Sequence, residues 1–252
     1  MRAILITGAS SGIGEALALR YAAPGVFLAL SGRDPGRLAA VAEACRAKGA
    51  ELAECVLDVA DGPAMAAWIE SLEARHPLYM VVANAGISAG TGRMTGETAD
   101  QTRALFAVNL DGVMNTVLPV IEPMRRRGHG QIAILSSLAG FRGMPRAPAY
   151  CASKAAVRVW GEGLRGWLAP HGIKVSVICP GFVVSRMTAV NKFPMPFLMK
   201  ADKAAALIAR GLDRNRGRIA FPWPMLLAAW LAAALPDRWV ETLVKPLPAK
   251  DS

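Results

Sequence analysis

The chain has 252 residues, of which 53% are hydrophobic, and a formal net charge of +10. This apolar content suits one large, well-packed domain, which we expect over residues 1–252. The basic residues are scattered and no aromatic residues interleave with them, which argues against a nucleic-acid-binding protein, although a cationic surface suits an anionic cofactor or anionic lipid. The four cysteines form no C-x-x-C pair and indicate free thiols in a reducing cytosol rather than a metal site.

Apolar β-type runs alternate with helical runs along the whole chain. The first run, at 3–7, is too short for a signal peptide, has no cleavage pattern, and is typical of a buried strand. Further runs follow at 26–30, 53–59, 78–86, 130–137 and 174–181, with a short one at 218–221. Continuous apolar strands separated by helices predict an α/β fold with a parallel sheet covered on both faces. Arg125–Arg127 precede Gly128, which is typical of a solvated helix end.

A glycine-rich loop, TGASSGIG, joins the first strand to the first helix. Its glycines are Gly8, Gly12 and Gly14. Such a turn lets backbone N–H groups face a pyrophosphate, and the helix N-terminus adds partial positive charge. The placement at the very first strand favours a dinucleotide site over an uncommitted turn.

Four further motifs follow in order along the chain. They are NAG at 84–86, Asn109 in AVNLDG, Ser137 thirteen residues before the pair Tyr150 and Lys154 in YCASK, and Pro180–Gly181 after the sixth strand. Tyr150 and Lys154 are four residues apart and therefore share one face of a helix. Together with TGxxxGxG these motifs resemble the short-chain dehydrogenase/reductase (SDR) superfamily over roughly residues 3 to 190. The family often has NNAG where this chain has Ala83, a difference expected to be structural.

The resemblance implies a Rossmann-like, doubly wound sheet of about seven strands in the order 3-2-1-4-5-6-7. It also implies oxidoreductase activity between a carbonyl and an alcohol, with Tyr150 as acid and base. A neighbouring ammonium lowers the pKa of a phenol, and an oxidised nicotinamide adds a second positive charge. By the same resemblance Lys154 holds the nicotinamide ribose, Ser137 hydrogen-bonds the substrate oxygen, and Asn109 holds a water behind Lys154.

The second strand indicates which nicotinamide nucleotide binds. Gly32 stands where NAD-preferring enzymes place an acidic residue, and Arg33 follows it. Because a guanidinium suits a 2′-phosphate, NADP(H) is favoured over NAD(H), with Ser10 and Arg37 assisting. A pairing of Asp34 with Arg33 would weaken this assignment.

The remaining cofactor contacts are implied by the resemblance alone. Asp58 and Val59 are expected at the adenine, and Asn84, Ala85 and Gly86 beneath the adenosine ribose. Val183 and Ser185 are expected at the nicotinamide carboxamide. The other implied contacts lie in the glycine loop, on the catalytic helix and after the sixth strand: Gly8, Ser11, Gly12, Ile13, Gly14, Tyr150, Lys154, Pro180 and Gly181.

Residues 185–252 form the expected substrate lid and an apolar C-terminal segment. The lid carries Met187, Phe193, Met195, Phe197 and Met199, which suit a lipophilic carbonyl or alcohol substrate and equally a core or a dimer contact. Residues 219–235 carry no charge. Three interpretations stay open for 219–247: a pocket-closing helix in a subunit interface, a peripheral membrane contact, and a transmembrane helix.

We therefore expect a cytoplasmic enzyme, peripherally membrane-associated if the second interpretation holds, and a homodimer or homotetramer as in the family. Two rival functions use the same fold. One is a non-catalytic nucleotide-sensing or scaffold protein. The other is isomerisation or dehydration of a nucleotide sugar, which is less favoured because such enzymes are usually longer.

Overall fold

A computed structural model describes residues 2–89, 96–191, 193–236 and 238–239. Its centre is a seven-stranded parallel sheet of order β3-β2-β1-β4-β5-β6-β7, which confirms the predicted topology. The strands are β1 (Arg2–Ile6), β2 (Val26–Gly32), β3 (Glu51–Val56), β4 (Leu78–Ala83), β5 (Gly130–Leu135), β6 (Ile173–Pro180) and β7 (Arg218–Phe221).

Nine α-helices lie among the described residues. They are α1 (Gly12–Tyr21), α2 (Pro35–Arg46), α3 (Gly62–Arg75), α4 (Ala99–Phe106), α5 (Gly112–Arg127), α6 (Pro148–Leu168), α7 (Arg186–Ala189), α8 (Ala201–Asp213) and α9 (Trp223–Ala234). A π-helical turn, Ala107–Asp111, joins α4 to α5, and 3₁₀ turns occupy Leu138–Gly140 and Ala169–His171.

The strand residues alternate between two cores, as the period of two in a β-strand requires. In β1, Ala3 and Leu5 face the core formed with α3, α5 and α6, whereas Ile4 and Ile6 face the core formed with α1, α2 and α8. Both faces are thus covered by helices, and the crevice at the carboxyl ends of the strands is left for ligands.

Three strands end earlier in the structure than the sequence predicts. The described strands β3 and β4 stop at Val56 and Ala83, and β5 stops at Leu135. Asp58, Asn84 and Ser137 therefore lie just beyond the sheet rather than in its strands. Each of these side chains hydrogen-bonds to a backbone group, which replaces the ladder bonds of a continuing strand.

The arginine run at the end of α5 is only partly solvated. Gly128 ends the helix in the left-handed conformation, with φ 72°, as its sequence predicts. Arg125 forms an exposed pair with Glu122, but Arg127 folds inward, binds Glu73 at 2.7 Å and also donates to the carbonyl of Leu78. The expectation of a solvated run is wrong for Arg127, which ties α5 to α3 and β4.

One described helix, Ala99–Arg127, is long and apolar enough to cross a membrane by length and composition, and half of its most apolar window is buried inside the protein. Its buried side chains belong to the core between α3 and α6, as expected of a central helix. The apolar helix α9 has 12 residues and is therefore about 18 Å long, too short to span a bilayer by itself.

Candidate active site

The glycine loop is built for close backbone approach. Gly8 and Gly12 have positive φ angles of 65° and 61°, which side-chain-bearing residues rarely adopt. At Gly14 a Cβ atom would lie 2.3 Å from the carbonyl oxygen of Gly8 and 2.5 Å from Nδ2 of Asn84. The loop therefore packs so tightly against the start of α1 that a side chain at position 14 has no room.

Asn84 braces this loop from the neighbouring strand. Its Nδ2 donates to the carbonyls of Thr7 at 2.9 Å and Gly8 at 3.1 Å. The hydroxyl oxygen of Thr7 accepts in return from the backbone N–H groups of Asn84 and Ala85. The NAG motif thus holds the loop through its side chain, and Ala85 and Gly86 continue along the crevice as backbone.

The start of α1 offers unpaired amide groups to the crevice. Ser11 is the N-cap residue, and its side chain forms no capping hydrogen bond. The N–H groups of the first helical turn, which includes Gly12, Ile13 and Gly14, have no partner within the helix. A Cβ on Gly12 would lie 2.9 Å from Cβ of Ser185, so the loop after β6 closes over this helix end.

Ser10 fills the position beside the end of β2. A Cβ on Gly32 would lie 3.0 Å from the Ser10 hydroxyl oxygen. Arg33, with a side chain 60% exposed, pairs with Asp58 at 3.6 Å. Asp34 caps α2 and pairs with Arg37 at 2.5 Å. Asp34 is thus engaged by Arg37, and Arg33 and Asp58 face each other across the expected adenosine position.

Val59, which is expected to contact the cofactor, has a buried side chain. Its side chain is only 5% exposed and lies in the core. Its carbonyl accepts a hydrogen bond from Nδ2 of Asn115 at 2.9 Å. Of the groups of Val59, the backbone N–H is left to contact a nucleotide.

The tyrosine and Ser137 meet at the carboxyl end of β5. Ser137 is the N-cap residue of the 3₁₀ turn Leu138–Gly140, and its oxygen accepts from the N–H of Ala139 at 3.1 Å. Tyr150, on the first turn of α6, lies close enough to Ser137 for the serine hydroxyl to lower the pKa of the phenol. The Ser137 hydroxyl also lies 3.4 Å from the carbonyl oxygen of Pro180. One substrate oxygen could contact both hydroxyls at this point.

Lys154 reaches from α6 beneath the same crevice. Its Nζ donates to the carbonyl of Leu135 at 2.9 Å and lies 6.0 Å from the centre of the Tyr150 ring. A Cβ on Gly86 would lie 3.3 Å from this nitrogen, so the glycine makes room for the ammonium. The lysine is 4% exposed.

Burial dominates the electrostatics of this pair. Desolvation raises the pKa of Tyr150 above its ordinary value, and the hydrogen bond from Ser137 partly opposes it. Desolvation lowers the pKa of Lys154 to about 8. The predicted lowering of the tyrosine pKa does not arise in the protein alone, because burial of the phenol raises its pKa by more than Ser137 lowers it.

Asn109 lies in the π-helical turn, a distortion that often marks functional sites. Its Oδ1 accepts from the N–H of Ile87 at 2.8 Å. Its Nδ2 donates to the carbonyl of Ile87 at 3.0 Å and to Oγ of Ser153 at 3.2 Å. The amide group therefore has one Oδ1 lone pair left for a further partner.

Three polar residues that the sequence analysis did not select support helix α6. Ser136 donates to the carbonyl of Lys154 at 2.7 Å, and Ser153 donates to the carbonyl of Tyr150 at 2.8 Å. A carboxylate oxygen of Glu97 accepts from the N–H of Ala149 at 2.9 Å, at the first turn of α6. The two serines adjoin quoted motifs, which is a usable signal. Glu97 is 52 residues from its partner and no local pattern marks it.

Comparison with known proteins agrees with this geometry. A family model described as short chain dehydrogenase matches residues 2–193. An uncharacterized oxidoreductase of Myxococcus xanthus (strain DK1622) is 38% identical over 247 residues, which are 98% of this chain and 97% of that protein.

Two solved structures share the fold. A short-chain dehydrogenase from Sphingobium yanoikuyae in complex with NADPH has a TM-score of 0.80 at 26% identity, covering 100% of this chain and 98% of that one. A short chain dehydrogenase from Mycobacterium paratuberculosis bound to NAD has a TM-score of 0.76 at 24% identity, covering 87% and 94%, and shows the fold alone. From the family match and the relatives, this chain belongs to the short-chain dehydrogenase/reductase family of oxidoreductases.

Proposed function

We propose that this protein is an NADP(H)-dependent oxidoreductase that interconverts a carbonyl and an alcohol on a lipophilic substrate. The observation that carries the proposal is that the Tyr150 and Ser137 side chains lie together beyond the carboxyl end of β5, with Lys154 one helical turn further along α6. A phenol and a hydroxyl that meet at one point can hold a substrate oxygen between them, which is what carbonyl reduction requires.

A nicotinamide dinucleotide fits the residues of the crevice. The glycine loop presents backbone without side chains, and the first turn of α1 presents its free N–H groups beside it. When bound, the nicotinamide supplies hydride to a carbonyl carbon or accepts it from an alcohol. The residues that would hold it are those of the loop, the Asn84–Gly86 backbone, Lys154 and the segment from Pro180 to Ser185.

Support for NADP(H) comes from the end of β2. Gly32 stands where NAD sites typically have a ribose-binding carboxylate, and a Cβ at this position would lie in tight contact with Ser10, 3.0 Å from its hydroxyl oxygen. Arg33 instead provides a half-exposed guanidinium, and its pair with Asp58 is long at 3.6 Å. A phosphate with two negative charges would compete for that guanidinium. NAD(H) is the alternative.

In the proposed reaction Tyr150 moves the proton. For reduction, the phenol gives its proton to the carbonyl oxygen, and Ser137 stabilises the charge that grows on that oxygen. For oxidation, the phenolate takes the proton from the alcohol. The charged form of Lys154 favours the phenolate form of Tyr150. A more polar environment would keep more of this lysine charged, and the phenolate needed for the proton transfer would then form more readily. Asn109 has one free lone pair for a water that relays protons.

The lipophilic substrate is supported by the segment after β6. Phe182 and Phe193 pack edge to face with ring centres 6.0 Å apart, and Met225 lies against Gly181. Met199 packs against the core and is therefore structural. Aromatic rings and thioethers beside the catalytic hydroxyls favour an apolar ketone, aldehyde or alcohol.

A homodimer or homotetramer is also part of this proposal. The large apolar side chains Leu118 of α5 and Val159 and Trp167 of α6 are 54%, 58% and 55% exposed. Apolar side chains on two neighbouring helices suit a subunit contact.

The test follows NADPH consumption against ketones and aldehydes graded by chain length and ring number. We expect turnover that rises with apolar size and falls at least a hundredfold in Tyr150→Phe, the order of a general acid. Tyr79→Phe, on β4, is the matched control and should keep wild-type turnover. Wild-type turnover in Tyr150→Phe, or no activity with any carbonyl or alcohol in either direction, would reject the proposed function.

A further inference from the structure

Exposed apolar side chains are concentrated on one part of the surface. Among the described residues, thirteen large hydrophobic side chains are exposed, and nine of them lie between Val184 and Trp239. These nine belong to the segment after β6 and to α9 with the residues that follow it. Scattered exposed apolar residues are normal, whereas a concentration of this kind indicates an interaction surface.

Helix α9 is apolar on both of its faces. Its inner face, with Met225, Leu226 and Ala229, packs against Leu138 and Cys179. Its outer face carries an apolar stripe of Trp223, Leu227, Trp230 and Leu231, which are 74%, 48%, 57% and 47% exposed. Successive members of the stripe are four, three and one residues apart, which places them on one side of a helix. The protein therefore holds the helix on one side and presents two tryptophans and two leucines on the other.

The same region is strongly basic. Residues 184–239 contain nine lysines and arginines and three aspartates, a formal net charge of +6 out of +10 for the whole chain. More than half of the formal net charge thus comes from less than a quarter of the sequence. Apolar and aromatic side chains within a cationic region are the combination found in proteins that dock on anionic lipid.

We propose that the outer face of α9 docks on a lipid bilayer that contains anionic lipid. Tryptophan suits the headgroup boundary because its ring is apolar and its N–H is polar. A second copy of the chain fits less well, because a twofold interface would bring together two copies of a basic chain segment, whereas anionic headgroups are complementary to basic groups such as Arg142, which donates to the carbonyl of Leu235 at the end of α9. The helix would lie in the interface plane with its stripe in the acyl boundary.

Docking would place the catalytic crevice beside the bilayer. Pro222 and Met225 each lie 3.0 Å from where a Cβ on Gly181 would be, and Leu138 of the inner contact follows Ser137 directly. A lipophilic compound dissolved in the membrane would then have a short path to the site. The docking itself does not depend on the reaction, and its test needs no turnover.

The experiment is co-sedimentation of the full-length protein with vesicles of phosphatidylcholine alone or with 30% phosphatidylserine. The test variant is Trp223→Ser/Leu227→Ser/Trp230→Ser/Leu231→Ser. The matched control is Val56→Ser at the end of β3, which removes an exposed apolar side chain outside α9 and outside the α5–α6 surface proposed for the subunit contact. Circular dichroism and light scattering establish that each protein is folded and give its mass.

We expect binding to the anionic vesicles, weakened by 0.5 M salt and at least tenfold weaker in the α9 variant but not in the control. No binding of the wild type to either vesicle overturns the proposal, as does equal binding by the α9 variant. A wild-type dimer that becomes a monomer in the α9 variant, without lipid binding by either, assigns the face to a second copy instead. If the α9 variant does not fold, Trp230→Ser alone, with Val56→Ser as its control, decides between the same outcomes.

Discussion

The ammonium nitrogen of Lys154 lies 6.0 Å from the centre of the Tyr150 ring and donates its hydrogen bond to the carbonyl of Leu135, not to the phenol. Any effect of the lysine on the tyrosine therefore comes from its charge and not from a hydrogen bond. That charge is present only while the buried ammonium keeps its proton, and burial lowers the pKa of Lys154 to about 8.

This pKa predicts how Lys154 affects stability as pH changes. The folded protein binds the lysine proton more weakly than the unfolded chain, whose lysine has the ordinary pKa of 10.5. Between pH 8 and 10.5 the unfolded state therefore holds more protons, and this group makes the protein more stable as pH rises. Relative to Lys154→Met, the free energy of unfolding of the wild type should rise by up to about 3 kcal/mol over this window.

Denaturant unfolding at several pH values measures this difference. The difference between wild type and variant is needed because buried cysteines, whose pKa values burial raises, titrate in the same range with the opposite effect. Lys174→Met, at an exposed position of β6, is the control and should leave the pH profile unchanged. If the free energies of unfolding of the wild type and Lys154→Met change in parallel with pH, the lowered pKa of Lys154 is contradicted.

Ser137 is expected to act in catalysis and on the pKa of its partner. Ser137→Ala removes a hydrogen bond that lowers the pKa of Tyr150, so the basic limb of the kcat profile should move to higher pH. Turnover at neutral pH should fall about 10²–10³-fold, because one donor to the substrate oxygen is lost. Steady-state kinetics between pH 6 and 10 provide both quantities.

The control for this change is Ser176→Ala, which also removes a buried hydroxyl. Ser176 lies in β6, and its oxygen has no hydrogen-bond partner in the described part of the chain. We expect wild-type kinetics and equal or higher stability from it. A Ser137→Ala enzyme with an unshifted profile and unreduced turnover would place the serine outside the reaction.

Much of this arrangement could be predicted from sequence because the signals are local. Alternating apolar runs and helices determine the sheet, and the spacing of four places Tyr150 and Lys154 on one helix face. What sequence could not give is the set of contacts between distant segments. Glu97 at the start of α6, and Arg127 folded onto Glu73, depend on how separate elements pack.

The direction of the pKa shifts of Tyr150 and Lys154 also could not be predicted from the sequence. The spacing in YCASK gives the proximity of Lys154 to Tyr150 but not its desolvation, which depends on the sheet and on Gly86 beside it. The balance between charge proximity and burial decided the direction of the tyrosine pKa shift. Cofactor preference, by contrast, rests on adjacent residues, and the structure adds the contact between Ser10 and Gly32.

Arg33→Asp should reverse the cofactor preference. The change removes the guanidinium and places a carboxylate near Asp58, which Arg33 approaches to 3.6 Å. Loss of a charge-assisted contact with a phosphate, about 1.5–3 kcal/mol, predicts a fall of roughly 10- to 150-fold in kcat/KM for NADPH. NADH, without the 2′-phosphate, should be affected less.

The control is Arg20→Asp, which makes the same charge change in the last turn of α1, away from the glycine loop. It should leave the ratio of kcat/KM for NADPH and NADH within about twofold, a difference of under 0.5 kcal/mol. An unchanged ratio in Arg33→Asp would refute the assignment to NADP(H). A changed ratio in both variants would assign the effect to overall charge.

Gly14→Ala tests whether the loop has the close packing described above. The added Cβ would lie 2.3 Å from the Gly8 carbonyl oxygen and 2.5 Å from Nδ2 of Asn84, so the loop or its brace must move. We expect destabilisation of about 1–3 kcal/mol and weaker nucleotide binding.

Gly163→Ala is the control, because its Cβ on the exposed side of α6 meets nothing within 4 Å. It should stabilise the protein by about 0.5–1 kcal/mol through helix propensity. Thermal unfolding and titration with NADPH measure both effects, and a Gly14→Ala protein as stable as Gly163→Ala would show that position 14 has room for a side chain.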